Sequence, residues 1–290
     1  MATKKISNYL SLVKFSHTVF AMPFALIGFT LGIKASKEPF HPWLLVKVLL
    51  CMVLARTAAM AFNRYIDRDI DSKNERTKTR EIPAGIVSSN SALLLVIFSS
   101  LLFIGTTYFI NTICFYLSPV ALLVILGYSL TKRFTWLCHL VLGLGLSLAP
   151  IGAYLAVTGQ FNMIPLYFSF AVICWVSGFD IIYALQDIDF DKSLQLNSMP
   201  VAFGKKGALV ISSILHALSI SFVILAGLNL PFGNIYWIGV LIFSALVIYQ
   251  HLIVKPTDLS RVNLAFFTTN GVASIVFAVF VIADVFLRSK

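Results

Sequence analysis

Nine apolar runs, near residues 16–34, 43–62, 91–111, 113–130, 136–158, 164–184, 207–228, 235–254 and 265–287, set what this chain can fold into. Each is close to the roughly 20 residues that an α-helix needs to cross the hydrocarbon core of a bilayer. With 59% hydrophobic and 12% charged residues among its 290, the chain carries more apolar surface than a water-soluble domain can bury. In lipid every backbone N–H and C=O must be bonded within the protein, which leaves helices or a closed barrel. The runs lack the alternation of barrel strands. The expected fold is an all-α membrane protein, a bundle of nine transmembrane helices forming one domain over residues 1–290.

Orientation follows from Lys and Arg. Lys4, Lys5 and Lys14 precede the first run; Arg64, Arg68, Lys73, Arg76, Lys78 and Arg80 follow the second; Lys132 and Arg133 follow the fourth; Lys192, Lys205 and Lys206 follow the sixth; Lys255 and Arg261 follow the eighth. These are 16 of the 22 basic residues, and the positive-inside rule makes their side cytoplasmic, with the N-terminus. The opposite loops, around 112, 160 and 230, carry no charge. The net charge of +10 is thus an orientation signal and gives no reason to expect nucleic acid as a partner. The run after Lys14 is too long for a cleavable leader and lacks a small-residue cleavage pattern, so it is expected to stay as the first span.

Polar chemistry is confined to two islands. The first, at 63–85, reads NRYIDRDIDSKNERTKTREIPAG, and its Asn63, Asp67 and Asp71 recur every four residues. On a helix that spacing stacks them on one face and predicts that their oxygens converge, which like charges tolerate best around a cation. Hard oxygen ligands favour magnesium, calcium or manganese over zinc. The second, DIIYALQDIDFD at 180–191, puts Asp180, Tyr183, Asp187 and Asp191 at offsets 0, 3, 7 and 11, again one helical face. The two islands hold nine of the twelve acidic residues, on matching sides of what reads as two related halves.

Cations lie close to both islands. Arg76, Lys78 and Arg80 precede the Pro83-Ala84-Gly85 turn, and Lys132 and Arg133 follow Tyr128; both groups suit phosphate oxygens. Arg56, two turns before Asn63 in an apolar run, is expected to face the bundle interior and pair with a carboxylate or an anionic ligand. Lys47, near a run end, is expected to snorkel. Among the five histidines His17 is the candidate for a substrate pocket. Cys51, Cys114, Cys138 and Cys174 have no metal-site spacing and read as free buried thiols. Gly143, Gly145, Pro150, Gly152 and Gly159 allow close packing or a kink. Asn270 is the other polar residue of note within a run.

Carboxylate clusters able to hold divalent cations, with Arg and Lys between them, form a site for a diphosphate. An apolar bundle around that site implies a lipophilic remainder, and a prenyl diphosphate meets both demands. A bound cation would stabilise the leaving diphosphate as the allylic C–O bond ionises, and the bundle would keep water from the carbocation.

The pairing of NRYIDRDID with DIIYALQDIDFD, together with RTKTREIPAG and YSLTKR, resembles the UbiA-type intramembrane aromatic prenyltransferases, whose pattern is NxxxDxxxD early and DxxYxxxDxxxD late. The late motif differs from that of the haem farnesyltransferase branch. The resemblance implies a nine-helix bundle in the cell (inner) membrane, Mg2+ dependence, and transfer of a polyprenyl chain from polyprenyl diphosphate to a small aromatic acceptor. That acceptor is often 4-hydroxybenzoate in ubiquinone synthesis, or a naphthoate precursor of menaquinone. It further implies metal ligation by Asn63, Asp67, Asp71, Asp187 and Asp191 with Asp180 and Tyr183 in support, and diphosphate contact by Arg80 and Lys132. A cation-coupled transporter also shows duplicated halves and intramembrane acids, but there the acids lie at the midplane rather than at cytoplasmic helix ends.

Overall fold

The computed structural model describes residues 8–13, 20–36 and 39–288. Lys4, Lys5, Lys14 and the candidate His17 lie outside the described residues. The long helices are α1 (Met22–Ser36), α2 (Pro42–Ile66), α3 (Ser89–Tyr108), α4 (Thr112–Thr131), α5 (Cys138–Thr158), α6 (Met163–Ala184), α7 (Met199–Asn229), α8 (Asn234–Ile253) and α9 (Asn270–Leu287). Among the described residues eight helical segments are long and apolar enough to cross a membrane, and α1, with 15 residues, is a shorter apolar helix. No strand is present among them, only an isolated bridge between Lys255 and Asp258.

Local chemistry sets the helix ends. Ser88 Oγ accepts from the Ser91 amide at 3.2 Å to start α3, and Asn111 Oδ1 accepts from Cys114 at 2.9 Å to start α4. Ser198 caps α7 in the same way. Asn111 also donates to Leu155 O at 2.9 Å, tying the α4 start to the end of α5. Lys47 Nζ reaches Phe109 O at 2.6 Å, a snorkelled cation satisfied at a helix end. Helix α7 begins before the apolar run at 207 because Met199–Phe203 already winds as helix ahead of a kink at Gly204 (φ 67°).

Helix α6 is the axis of the bundle: its span is 72% buried, with α5 on one side and α7 on the other. Helix α1 packs on α5 and α9, α2 on α3 and α4, and α8 on α7 and α9. The largest interior side chains, Trp175, Tyr236, Phe168, Phe243 and Phe277, fill the α6–α9 half. The outer faces are apolar instead, with Trp43, Leu123 and Leu241 well exposed, as a lipid-facing surface requires. Two close approaches demand glycine. A Cβ on Gly28 would stand 2.0 Å from Pro150 O, and one on Gly143 would stand 2.6 Å from Ile173 O, so α1, α5 and α6 meet nearly backbone to backbone.

Candidate active site

Both acidic islands break their helices at the middle aspartate. Helix α2 ends at Ile66, Asp67 takes φ −91°, ψ 5°, and a short helix Arg68–Asp71 follows. Helix α6 gives way to a 3-10 turn Leu185–Asp187, Asp187 takes φ −105°, ψ 7°, and a short helix Ile188–Ser193 follows. The two aspartates share the sparsely occupied bridge conformation that is common among active-site residues. The single continuous helical face expected for each island is therefore interrupted, and each carboxylate takes its own direction.

A cavity of about 290 Å³ opens between these islands, with lining that includes Asn63, Asp67 and Asp71, Asp180, Tyr183 and Asp187, and the cations Arg56, Arg76, Arg80, Lys132 and Arg133. Four of the five motif carboxylates each hold one Arg or Lys. Arg133 Nη2 lies 2.8 Å from Asp67 Oδ1, Arg80 Nη1 lies 2.7 Å from Asp71 Oδ1, and Lys132 Nζ lies 2.7 Å from Asp191 Oδ1. Arg76 forks onto Asp187, with Nε 3.1 Å from Oδ1 and Nη2 in contact with Oδ2, and donates to Tyr183 Oη at 2.8 Å. Asn63 Nδ2 donates to Asp67 Oδ2 at 2.9 Å. Asn63 thus meets Asp67, while Asp67 and Asp71 face different cations, Arg133 and Arg80, and no three acidic, His or Cys side chains among the described residues close around a common centre. Adjacent carboxylates repel, and each turns to the nearest guanidinium or ammonium instead.

Burial and charge compete at Asp67, where desolvation pushes the carboxyl above its usual range against the pull of Arg133, with Asp71 adding to the rise. At Arg76 burial favours the neutral form, but the hydrogen bonds and charges of Asp187 and Tyr183 prevail and hold the guanidinium above its usual value.

Other sites differ from the sequence expectation. Lys78 is not among the lining residues; it is half-exposed and paired with Glu75. Asp191 is fully buried behind the cavity wall on Lys132, and its Oδ2 has no hydrogen-bond partner. Asp180, expected beside a metal, sits 2.6 Å from His139 Nδ1, across from α5. All four cysteines are free, but only Cys51 and Cys174 are buried; Cys114 and Cys138 are half-buried, and Cys138 reaches the cavity. Sequence reasoning missed Asn74, His139, Phe266 and Phe267, which line the cavity as well. Asn74 lies seven residues after Asp67, a helical repeat that could have flagged it, and donates to Asp187 Oδ1 at 3.3 Å. His139 carries no such signal, because its partner is 41 residues away.

A second, apolar cavity of about 370 Å³ is lined by residues such as Val48, Phe103, Leu117, Val124 and Ile125. Arg56, Tyr128, Leu142 and Leu146 line both cavities, so the two meet there. At this junction Arg56 Nε is buried with no hydrogen-bond partner, and none of the ion pairs among the described residues uses Arg56. The oxygen groups around the polar cavity are the carboxylates of Asp67, Asp71, Asp180 and Asp187 and the amides of Asn63 and Asn74; this set fits a hard dication bound through one or two carboxylates and shared with phosphate oxygens.

Comparison with known proteins places this architecture. The sequence model of the UbiA prenyltransferase family matches residues 21–272. A 4-hydroxybenzoate octaprenyltransferase from Francisella tularensis is 30% identical over 238 residues, covering 82% of this chain and 84% of that one. A protein of the same name from Shewanella baltica is 30% identical over 226 residues, covering 78% and 79%. Among solved structures, an apo UbiA homologue from Aeropyrum pernix superposes with a TM-score of 0.80 at 30% identity, covering 94% of this chain and 98% of that one. A UbiA homologue from Archaeoglobus fulgidus bound to DMAPP and Mg2+ shares the fold with a TM-score of 0.74 at 22% identity, covering 97% and 99%. The family match runs from the foot of α1 into α9 and takes in both acidic motifs on the way, and the chain therefore belongs to the UbiA prenyltransferase family.

Proposed function

We propose that the protein transfers a polyprenyl chain from its diphosphate to 4-hydroxybenzoate in quinone biosynthesis, at the cytoplasmic face of the cell membrane. The observation that carries this reading is the junction of the two cavities: a charged chamber sized for a diphosphate opens onto an apolar one suited to an isoprenoid chain, and an unpaired guanidinium stands between them. Arg56 supplies the counter-charge for a small aromatic carboxylate, since a half-buried guanidinium whose Nε is shut from water without a partner is costly until an anion meets it. The names borne by the Francisella and Shewanella relatives support the acceptor and a long chain. The shared bridge conformation of Asp67 and Asp187 supports two related halves, and the basic loops support nine spans with a cytoplasmic N-terminus.

Arg76, Arg80, Lys132 and Arg133 hold the diphosphate oxygens, and the apolar cavity holds the chain and excludes water. Asn63, Asp67, Asp71 and Asp187, with Asp191 behind them on Lys132, would hold magnesium together with the donor, and the ion would supply electrostatic stabilisation of the leaving diphosphate. The allylic C–O bond breaks with its electron pair on diphosphate, a π pair of the acceptor ring forms the new C–C bond, and the displaced ring proton passes to the departing diphosphate. Arg56 orients the ring for that attack.

The test is mass spectrometry of products formed by purified protein in nanodiscs from a panel of prenyl diphosphates with 4-hydroxybenzoate or a dihydroxynaphthoate. Prenylated 4-hydroxybenzoate is expected, with Arg56→Leu raising the acceptor KM far more than the donor KM. Transfer to the naphthoate alone would move the activity to menaquinone synthesis, and cation-coupled transport without transfer would overturn the enzyme reading.

A further inference from the structure

Asn270 is fully buried, and the ion pairs around the chamber do not account for it. Its Nδ2 donates to Ala265 O at 3.0 Å and Phe266 O at 3.1 Å, while its Oδ1 accepts from Trp175 Nε1 at 2.9 Å and Gln250 Nε2 at 2.7 Å. A side-chain amide offers two donors and two acceptor sites, so every one is used. The two accepting carbonyls lie in a π-helical turn, Leu264–Thr269, that leads into α9. Such turns are rare and recur at functional sites. Here the turn is pinned to α6 through Trp175 and to α8 through Gln250.

The pinned turn shapes the chamber wall. A π turn holds more residues than an α turn, so neighbours are rotated by less than the usual angle of about 100°, and Phe266 and Phe267 both reach the cavity. Phe266 stacks on Tyr183 with ring centres 4.1 Å apart, and meets Phe179 edge-on at 5.3 Å and Phe20 at 5.8 Å. The Arg76 guanidinium lies 5.2 Å from the centre of the same Tyr183 ring. One wall of the chamber is thus built of ions and another of π faces, and the aromatic wall already stands against a positive charge.

We infer that Phe266, backed by Tyr183, is the ring face that meets the positive allylic carbon, and that Asn270 is the positioning residue that holds Phe266 there. This rests on the prenyl-transfer reading above. Between loss of the C–O electron pair to diphosphate and capture of the acceptor's π pair, the allylic carbon is cationic, and the negative face of an aromatic quadrupole attracts it. Unlike water, a phenyl face stabilises that charge without adding to it.

The experiment replaces Phe266 with mono-, di- and trifluorophenylalanine, which keep the shape of the ring while weakening its π face, and measures transfer from a polyprenyl diphosphate to 4-hydroxybenzoate. Log kcat should fall stepwise along the series with the donor KM unchanged, and Phe266→Leu should lose about 3- to 30-fold in kcat. In Asn270→Asp, which cannot donate to the π turn, kcat should fall and the fluorination slope should flatten; Gln250→Met, which removes one of the four bonds, should show the same change in smaller measure should Asn270→Asp not insert. A flat series in an active protein overturns the role of Phe266. A slope kept in full in Asn270→Asp, or in Gln250→Met where the aspartate variant is not recovered, overturns the role of Asn270. Absence of transfer by the wild type to both 4-hydroxybenzoate and the dihydroxynaphthoate overturns the prenyl-transfer reading itself.

Discussion

Each acidic island carries its own control. Asp69 lies between Asp67 and Asp71 in sequence, and Asp189 between Asp187 and Asp191, yet both controls are exposed while Asp71 and Asp191 are buried at 5% and 0%. Asp69 has a single distant ion contact, 3.9 Å to Arg68, whereas Asp67, Asp71 and Asp191 each hold a cation at 2.7–2.8 Å. Replacing Asp67, Asp71, Asp187 or Asp191 by Asn removes one charge from the site of leaving-group stabilisation, a loss of about 10²–10³ in rate, or about 2.7–4 kcal/mol. Replacing Asp69 or Asp189 removes a solvated charge, for which changes stay within about 0.5 kcal/mol, roughly twofold. Asp71→Asn and Asp191→Asn also leave Arg80 or Lys132 facing a neutral amide. Breaking a fully buried pair costs about 3–5 kcal/mol, and the partial exposure of both cations reduces that figure here. Prenyl transfer is therefore scored per monodisperse, correctly inserted protein, measured by fluorescence-detected size exclusion. Equal losses for the two sets of aspartates would refute the assignment of the motif carboxylates.

Turnover should vanish on exhaustive chelation and return with magnesium or manganese; full activity in excess EDTA would remove the dication from the reaction. Arg76→Ala should lower kcat/KM for the donor by about 10-fold or more, since it breaks a charged fork to Asp187 and frees Tyr183, while Lys78→Ala should stay within about twofold because its pair with Glu75 is exposed. Equal kinetics for these two variants would show that the loop cations serve orientation alone. Gly28→Ala should lower thermal stability by about 1–3 kcal/mol, read as a fall in melting temperature, because its Cβ would meet the Pro150 carbonyl at 2.0 Å; an unchanged melting temperature would show that α1 and α5 separate freely.

By itself the sequence determined the class of structure and the two stretches that line the polar cavity. Apolar runs of spanning length leave helices as the solution in lipid, and the confinement of charge to Asn63–Gly85 and Asp180–Asp191 makes those two stretches the polar site whatever the packing. Periodicity also separated Asp67 and Asp71 from Asp69, because two residues of offset turn a side chain by about 200° around a helix. It could not foresee that Asp67 and Asp187 break their helices, nor that their partners would be Arg133, just past α4, and Arg76, in the loop of the first island. Nor could it separate Lys78 from Arg76 and Arg80: all three are basic residues of one loop, and only the folded loop aims two of them inward. His139 on Asp180 and Phe266 on Tyr183 are pairings between residues 41 and 83 positions apart. No local pattern encodes such contacts, because they exist only once α5, α6 and the π turn before α9 have packed around the same cavity.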